Sequence, residues 1–290
     1  MGGLVFGMVD VFADAPLEGN PLAVVEGGEQ LSDDVLRAIA REFNQAETTF
    51  IMNSAKADRK LRSFTAAGAE VFGAGHNALG AWLWLARGDA LGPLDSATTF
   101  QQEIGDAVLP VVLERRDGQV HGRMRQKPLR LLPALSDTSG LAAALGLAAG
   151  DFLFDPAPRV GDTGAAHLLV RVRDKAAVDR AEPNVPALLS LLEGAQAEGC
   201  YVYWFDADSG ADAYARFFNP TVGLWEDAAT GTAAGPLAAY LFAERLLRGT
   251  SLLVEQGTRL GRRSLLSIQV GEQPELSGSG IVVMEGRILL

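Results

Sequence analysis

The chain has 290 residues, 48% of them hydrophobic, with 36 acidic against 25 basic side chains and a formal net charge of −11. That length suits two domains of ordinary size or one large one, with enough apolar residues for a substantial core. The acidic balance argues against nucleic-acid backbones as partners, no apolar run reaches the ~18–20 residues that span a bilayer, and a lone cysteine, Cys200, excludes an intramolecular disulfide and a cysteine-based zinc site.

The opening residues from Met1 to Asp10 lack the basic segment of a secretion signal and read as a strand, Val5–Phe12. A turn around Glu18-Gly19-Asn20 leads to a second apolar run, Pro21–Val25. Ser32 followed by Asp33 and Asp34 is an N-cap with acidic first-turn residues. Val35, Ile39, Ala40 and Phe43 then recur at helical spacing, which predicts a helix over Ser32–Phe43. Asn44 and Gln45 end it, Thr48–Met52 returns as a strand, Leu61–Thr65 is another, and an apolar helix follows at roughly His76–Arg87. Leu109 to Val120 reads as a hairpin turning at Asp117-Gly118, and the domain boundary is placed there, giving domains 1–118 and 119–290.

The second half opens with a strand at Val120–Gln126 and continues with a small-residue helix at Ser139–Leu147 and a strand at Ala166–Val172. A helix at Val185–Leu192, strands at Cys200–Phe205 and Ala213–Phe218, and an apolar helix at Ala233–Leu247 follow. A meander closes the chain: Leu252–Glu255, Leu265–Val270 and Ile281–Met284, the last strand being free to return to the first domain. Strands outnumber helices and short turns join many of them, which favours antiparallel pairing over a doubly wound nucleotide-binding sheet. Cys200, inside the apolar run Gly199–Phe205, reads as an inert buried thiol.

One stretch occurs twice in altered form. Gly73-Ala74-Gly75-His76-Asn77-Ala78-Leu79-Gly80-Ala81-Trp82-Leu83 and Gly231-Thr232-Ala233-Ala234-Gly235-Pro236-Leu237-Ala238-Ala239-Tyr240-Leu241 place Leu79 with Leu237, Trp82 with Tyr240 and Leu83 with Leu241. Upstream lie the similar phrases Arg62-Ser63-Phe64-Thr65 and Arg216-Phe217-Phe218-Asn219. Each copy reads as a strand, a small-residue loop and an apolar helix, whose first N–H groups can hold an anion. Neither copy carries the full glycine spacing of a dinucleotide fold or the lysine of a P-loop. The glycines either allow close helix–strand packing or contact a ligand; two copies beside titratable residues favour a site, and the chain reads as an enzyme.

Asn44-Gln45-Ala46-Glu47-Thr48-Thr49-Phe50, Gly75 to Gly80 and Glu226-Asp227-Ala228-Ala229-Thr230-Gly231-Thr232-Ala233-Ala234-Gly235 resemble the signature blocks of the phenazine biosynthesis PhzF-like isomerase family. So do Asp10-Val11-Phe12 with Gly19 to Val25, His167-Leu168-Leu169-Val170, and Gln256-Gly257 with Gly261-Arg262, so the resemblance covers nearly the whole chain. It implies an α+β, diaminopimelate-epimerase-like fold: two pseudo-symmetric domains, each a mixed, mainly antiparallel sheet wrapped around a central helix, with the site between them. It further implies a cofactor-independent isomerase with Glu47 as catalytic acid/base, His76 at the helix start, Asp227, and a hydroxyl at Thr232. Gly75, Asn77, Gly231, Thr232 and Ala233 are the expected substrate-binding positions. The chain departs from the family at Asn77-Ala78 (usually Pro-Thr), Ala228 (usually Pro), Thr232 (usually Ser) and Ala66 (usually Pro), changes that bear on the substrate.

Physically, Glu47 between a helix end and an apolar strand is either a partly desolvated base or an ordinary exposed turn glutamate. His76 at a helix start is either a neutral donor or a packed helix-start histidine. Asp227 either caps the second helix or binds substrate and raises the pKa of Glu47 by like charge. His121 and His167, in strand patterns, are assigned to structure. Three scattered histidines support no metal site. The expected reaction moves a proton on a small carboxylate-bearing metabolite, with closure excluding water. Racemisation by Glu47 and Asp227 from opposite faces, or a non-catalytic binding role, are the alternatives. A cytoplasmic homodimer, with no nucleic-acid or membrane partner, completes the expectation.

Overall fold

A computed structural model describes residues 3–206, 208 and 212–290; Met1 and Gly2, at the head of the expected first strand, lie outside the described residues. The chain divides into two compact units, Met1–Arg125 with Ser277–Leu290, and Gln126–Leu276.

The first unit contains β1 (Leu4–Val11), β2 (Asn20–Glu26), α1 (Asp33–Phe43), β3 (Thr48–Met52), β4 (Arg59–Phe64), β5 (Glu70–Val71), α2 (His76–Leu85), β6 (Thr98–Ile104), β7 (Ala107–Arg116) and β8 (Gln119–Arg125). β1 pairs antiparallel with β2, β2 parallel with β3, β3 antiparallel with β4, β4 parallel with β6, and β6, β7 and β8 follow antiparallel. α1 starts after Ser32, whose carbonyl accepts from Val35 and Leu36 while its hydroxyl makes no cap bond. The acidic first turn then complements the helix dipole without help from the hydroxyl. Asn44 ends the helix in the left-handed conformation, φ 51°. The hairpin turn is as expected: Asp117 (φ 50°) and Gly118 (φ 81°) both take positive φ, the pairing twist that a two-residue turn needs. β8 therefore stays paired to β7, and the first unit runs on to Arg125.

Every residue of α2 is buried, and the helix packs on β1, β2, β3, β4 and β8. A helix apolar all round must be surrounded, and here the sheet supplies the wall. Gly80 makes the approach possible, because an added Cβ would lie 2.6 Å from Leu22 and 2.7 Å from Val11.

The second unit contains β9 (Arg130–Ala134), α3 (Leu141–Leu145), β10 (Arg159–Asp162), β11 (Ala166–Arg171), α4 (Lys175–Arg180), α5 (Val185–Ala195), β12 (Gly199–Phe205), β13 (Asp212–Asn219), β14 (Leu224–Asp227), α6 (Gly231–Ala243), β15 (Ser251–Gln256) and β16 (Ser264–Gln269). β9–β10 and β10–β11 are antiparallel, β11–β12 parallel, β12–β13 antiparallel, β13–β15 parallel and β15–β16 antiparallel. Alternation of antiparallel and parallel pairs from β10 to β16 repeats that from β1 to β7, with α6 in the place of α2. α6 packs on β10, β11, β15 and β16. Counted from the first residue of each helix, Gly80 and Gly235 hold the same position, so the helices correspond by their starts and not by Leu79 and Leu237.

The last strand, β17 (Glu275–Ile288), runs well beyond the expected Ile281–Met284 and pairs antiparallel with β1, the return to the first domain that the sequence allowed. The sheet-rich α+β class expected from the strand tally is what the structure shows. Cys200 is buried, and burial pushes its thiol up to about 12. Among the described residues no helix is long and apolar enough to cross a membrane.

Candidate active site

In the first unit, Glu47 stands one residue ahead of β3, whose Thr48 pairs with Ala23 on one side and Phe64 on the other. That position fixes its backbone while α1 closes in front of it. Its side chain is 18% exposed and Oε2 is buried, so the exposed turn glutamate is not what the fold makes of it. His76, the first residue of α2, is buried, and its Nε2 lies 3.9 Å from Glu47 Oε2. That is too long for a hydrogen bond, yet close enough for the charge on either group to act on the other.

The loop before α2 is held by a closed polar circuit. Asn77 Nδ2 donates to Gly73 O (2.9 Å) and Ser63 Oγ (3.1 Å), and Asn77 Oδ1 accepts from Gly75 N (2.8 Å). Thr49 Oγ1 lies 2.9 Å from Ser63 Oγ and donates to Asn77 O at 3.4 Å. With both side-chain N–H groups committed in this way, Asn77 has only its main-chain N–H left to donate to a ligand. The N–H groups of His76, Asn77 and Ala78 have no acceptor among the described residues, as expected of a first helical turn. Gly75 takes the N-cap position, where an added Cβ would make only ordinary contact.

In the second unit, Asp227 ends β14, and its Oδ2 accepts from Thr230 Oγ1 at 2.6 Å. Thr230, not Asp227, is the N-cap of α6. Gln256, fully buried, ties the segment down: Nε2 donates to Asp227 O (2.8 Å) and Thr230 Oγ1 (3.0 Å), and Oε1 accepts from Thr230 N (3.1 Å) and Tyr201 OH (2.9 Å). Burial, and then the charge of Asp227, holds the Tyr201 phenol well above its usual range, so it remains a donor to Gln256. Gly231 has no room for a side chain, because Leu276 occupies that space, and its carbonyl accepts from Gln126 Nε2 at 2.8 Å. The N–H of Ala233 is taken by Thr230 O (3.1 Å), and those of Gly231 and Thr232 have no acceptor among the described residues.

The two sequence phrases before the helices turn out to be matched side-chain clamps. Arg62 binds Glu70 through Nε and Nη2, both at 2.8 Å, and lies over Phe64. Arg216 binds Glu226 the same way (2.8 and 2.7 Å) and lies over Phe218. Each clamp ties the strand before the helix to the short strand next to it.

Three residues that sequence reasoning left out shape this second helix start: Gln256, Gln126 and His167. His167 Nε2 lies 3.0 Å from Thr232 Oγ1. Both Gln256 and His167 stand inside the signature phrases quoted above, so the signal was present; what it did for the fold was not. No group of three or more metal-ligating side chains gathers among the described residues.

Residues 9–286 match the family described as phenazine biosynthesis-like protein. The chain belongs to that family. Within the phenazine biosynthesis-like family, the trans-2,3-dihydro-3-hydroxyanthranilate isomerase of Pseudomonas aeruginosa is 33% identical over 291 residues, covering 98% of each chain. A solved structure of a predicted epimerase from Pseudomonas aeruginosa is 30% identical with a TM-score of 0.83, covering 99% of each chain. The hydroxyproline epimerase of Agrobacterium vitis shares the fold, at a TM-score of 0.66 and 14% identity over 99% of this chain and 91% of that one. Membership and relatives of this kind make the chain an isomerase.

Proposed function

We propose that the chain is a cofactor-independent isomerase that shifts a proton on a small carboxylate-bearing metabolite. Glu47 removes an acidic C–H proton next to an unsaturated or carboxyl-activated carbon and returns it elsewhere on the same face. The observation that carries this reading is the Glu47–His76 pair, a partly desolvated carboxylate held 3.9 Å from a buried imidazole at a helix start. A carboxylate in such surroundings is a better base than one in water, and general acid–base help of this kind is worth about 10²–10⁴-fold. The amides of His76, Asn77 and Ala78, which have no acceptor among the described residues, are donors for the negative charge that spreads onto the substrate carboxylate. Asp227 is assigned to a substrate ammonium or hydroxyl. Two pseudo-symmetric domains, a cytoplasmic location, a homodimer, and a small molecule rather than nucleic acid or membrane as partner belong to the same reading.

The first compound to try is trans-2,3-dihydro-3-hydroxyanthranilate, the substrate in the name of the Pseudomonas aeruginosa relative. Incubation in deuterated water, followed by proton NMR, distinguishes the outcomes. A positional shift with deuterium incorporated supports the isomerase. Inversion at a single carbon supports the second reading, a racemase or epimerase using Glu47 and Asp227, which the 30% identity to a predicted epimerase favours. Activity that survives Glu47→Gln unaltered removes Glu47 from its role.

A further inference from the structure

Thr232 is the second residue of α6, half-buried, and the one hydrogen-bonding partner of its hydroxyl among the described residues is His167 Nε2, at 3.0 Å. His167, on β11, is 2% exposed, with its ring set edge-on against Phe217 (4.8 Å between centroids, 79°). Its other nitrogen, Nδ1, is buried and has no hydrogen-bond partner among the described residues. The ring thus has one hydrogen bond for two nitrogens.

A charged imidazolium carries two N–H donors and would leave one of them buried and unmet; burial accordingly pushes His167 down to about 4. Two neutral tautomers remain. With the proton on Nδ1, a buried N–H has no acceptor, and Thr232 spends its only proton on Nε2. With the proton on Nε2, the imidazole donates to Thr232 Oγ1, and only an acceptor lone pair at Nδ1 goes unmet. Orphaned buried N–H groups are rarer than under-used acceptors, which favours the second.

We propose that His167 is a positioning residue: its Nε2–H holds the Thr232 oxygen, so that the Thr232 hydroxyl proton is free to be donated to a substrate oxygen beside the amides of Gly231 and Thr232. The inference rests on the isomerase reading for its substrate, but its geometry stands alone. It changes the role of Thr232 from a hydroxyl of undefined direction to one whose proton is available to an anionic carboxylate.

The deciding measurement is the tautomer of His167 in the intact chain, read at neutral pH from the imidazole ¹⁵N resonances. His76→Asn and His121→Gln assign the three histidines by elimination. A neutral ring protonated at Nε2 is expected; protonation at Nδ1, or a charged ring, overturns the proposal whatever the activity. A kinetic cycle with trans-2,3-dihydro-3-hydroxyanthranilate adds a second readout. His167→Phe is expected to lower kcat/KM about tenfold in the parent and to have no effect in Thr232→Val, because His167 acts only through that hydroxyl. Additive losses also overturn it. If the parent does not turn this compound over, the substrate assignment fails while the tautomer still decides the proposal.

Discussion

Glu47 Oε2 and His76 Nε2 lie 3.9 Å apart, one at the end of the α1–β3 connection and the other on the first turn of α2. In the proposed mechanism the pair is the part of the chemistry that the first unit holds by itself. Glu47→Gln keeps shape and removes the proposed base, so kcat is expected to fall by roughly 10³-fold with little change in stability. His76→Asn is expected to cost roughly 10²-fold. Both are measured by deuterium incorporation into substrate alongside thermal unfolding, and retained turnover in Glu47→Gln would contradict the assignment.

The matched clamps differ in depth, and that difference is measurable. Arg216 and Glu226 have side chains 9% and 3% exposed, against 21% and 22% for Arg62 and Glu70. Arg216 Nη1 also donates to the carbonyls of Val178, Asp179 and Ala181. Removing one partner of a buried pair strands the other charge and costs about 3–5 kcal/mol. Glu226→Ala is therefore expected to destabilise by that amount, and Glu70→Ala by about 1 kcal/mol, since solvent screens the shallower pair. Urea unfolding of the two variants checks the order; equal losses would contradict it.

Gln256 uses both amide hydrogens and its carbonyl on four groups of the Asp227–Thr230 segment and Tyr201. Gln256→Leu keeps the bulk and leaves several of those groups buried without partners, at about 1–3 kcal/mol for each one that stays unmet. A loss of roughly 3 kcal/mol is expected, together with a larger fall in activity than stability alone explains, because Asp227 loses its tether. Chemical denaturation and turnover, measured on the same preparation, test both.

His167 gives stability a pH dependence with a definite sign. Its native value is about 4 against 6.5 for the free side chain. Between those limits the unfolded chain binds the extra proton, so stability is complete above about pH 6.5 and is lost as pH falls toward about 4. At 1.36 kcal/mol per unit the loss attributable to this residue is up to roughly 3 kcal/mol. His167→Gln is expected to flatten that slope relative to the parent. A difference between the two unfolding curves that does not change from pH 7 to pH 4.5 would contradict the assignment.

Much of the fold was legible because each segment announced itself locally. The periodic spacing of Val35, Ile39 and Phe43, the positive-φ pair Asp117-Gly118, and two helices too apolar to face water all follow from nearest-neighbour chemistry. β6 did not, because Gln101, Gln102 and Glu103 break the apolar pattern, and the buried Gln102 accepts from Trp82 Nε1 at 2.9 Å and donates to Met124 Sδ. β10 is too short to show a period, and the exposed β9 contains Pro133. The small helix α4, capped by Asp174, lies in a charged stretch with no apolar stripe. The candidate site divides the same way. Glu47 and His76 stand out through titratable chemistry next to apolar runs, whereas the partners of Gln126, His167 and Gln256 lie 105, 65 and 26 residues away in sequence. No local pattern records contacts of that range.

β17 has a consequence for how the protein is made. The first unit is sewn from two stretches far apart in the sequence, and β1 keeps one flank bare until residues 277–290 leave the ribosome. Until then that unit exposes a long strand edge, a template for pairing with the wrong chain. Its completion waits on residues 277–290, even though residues 1–125 are synthesised well before them.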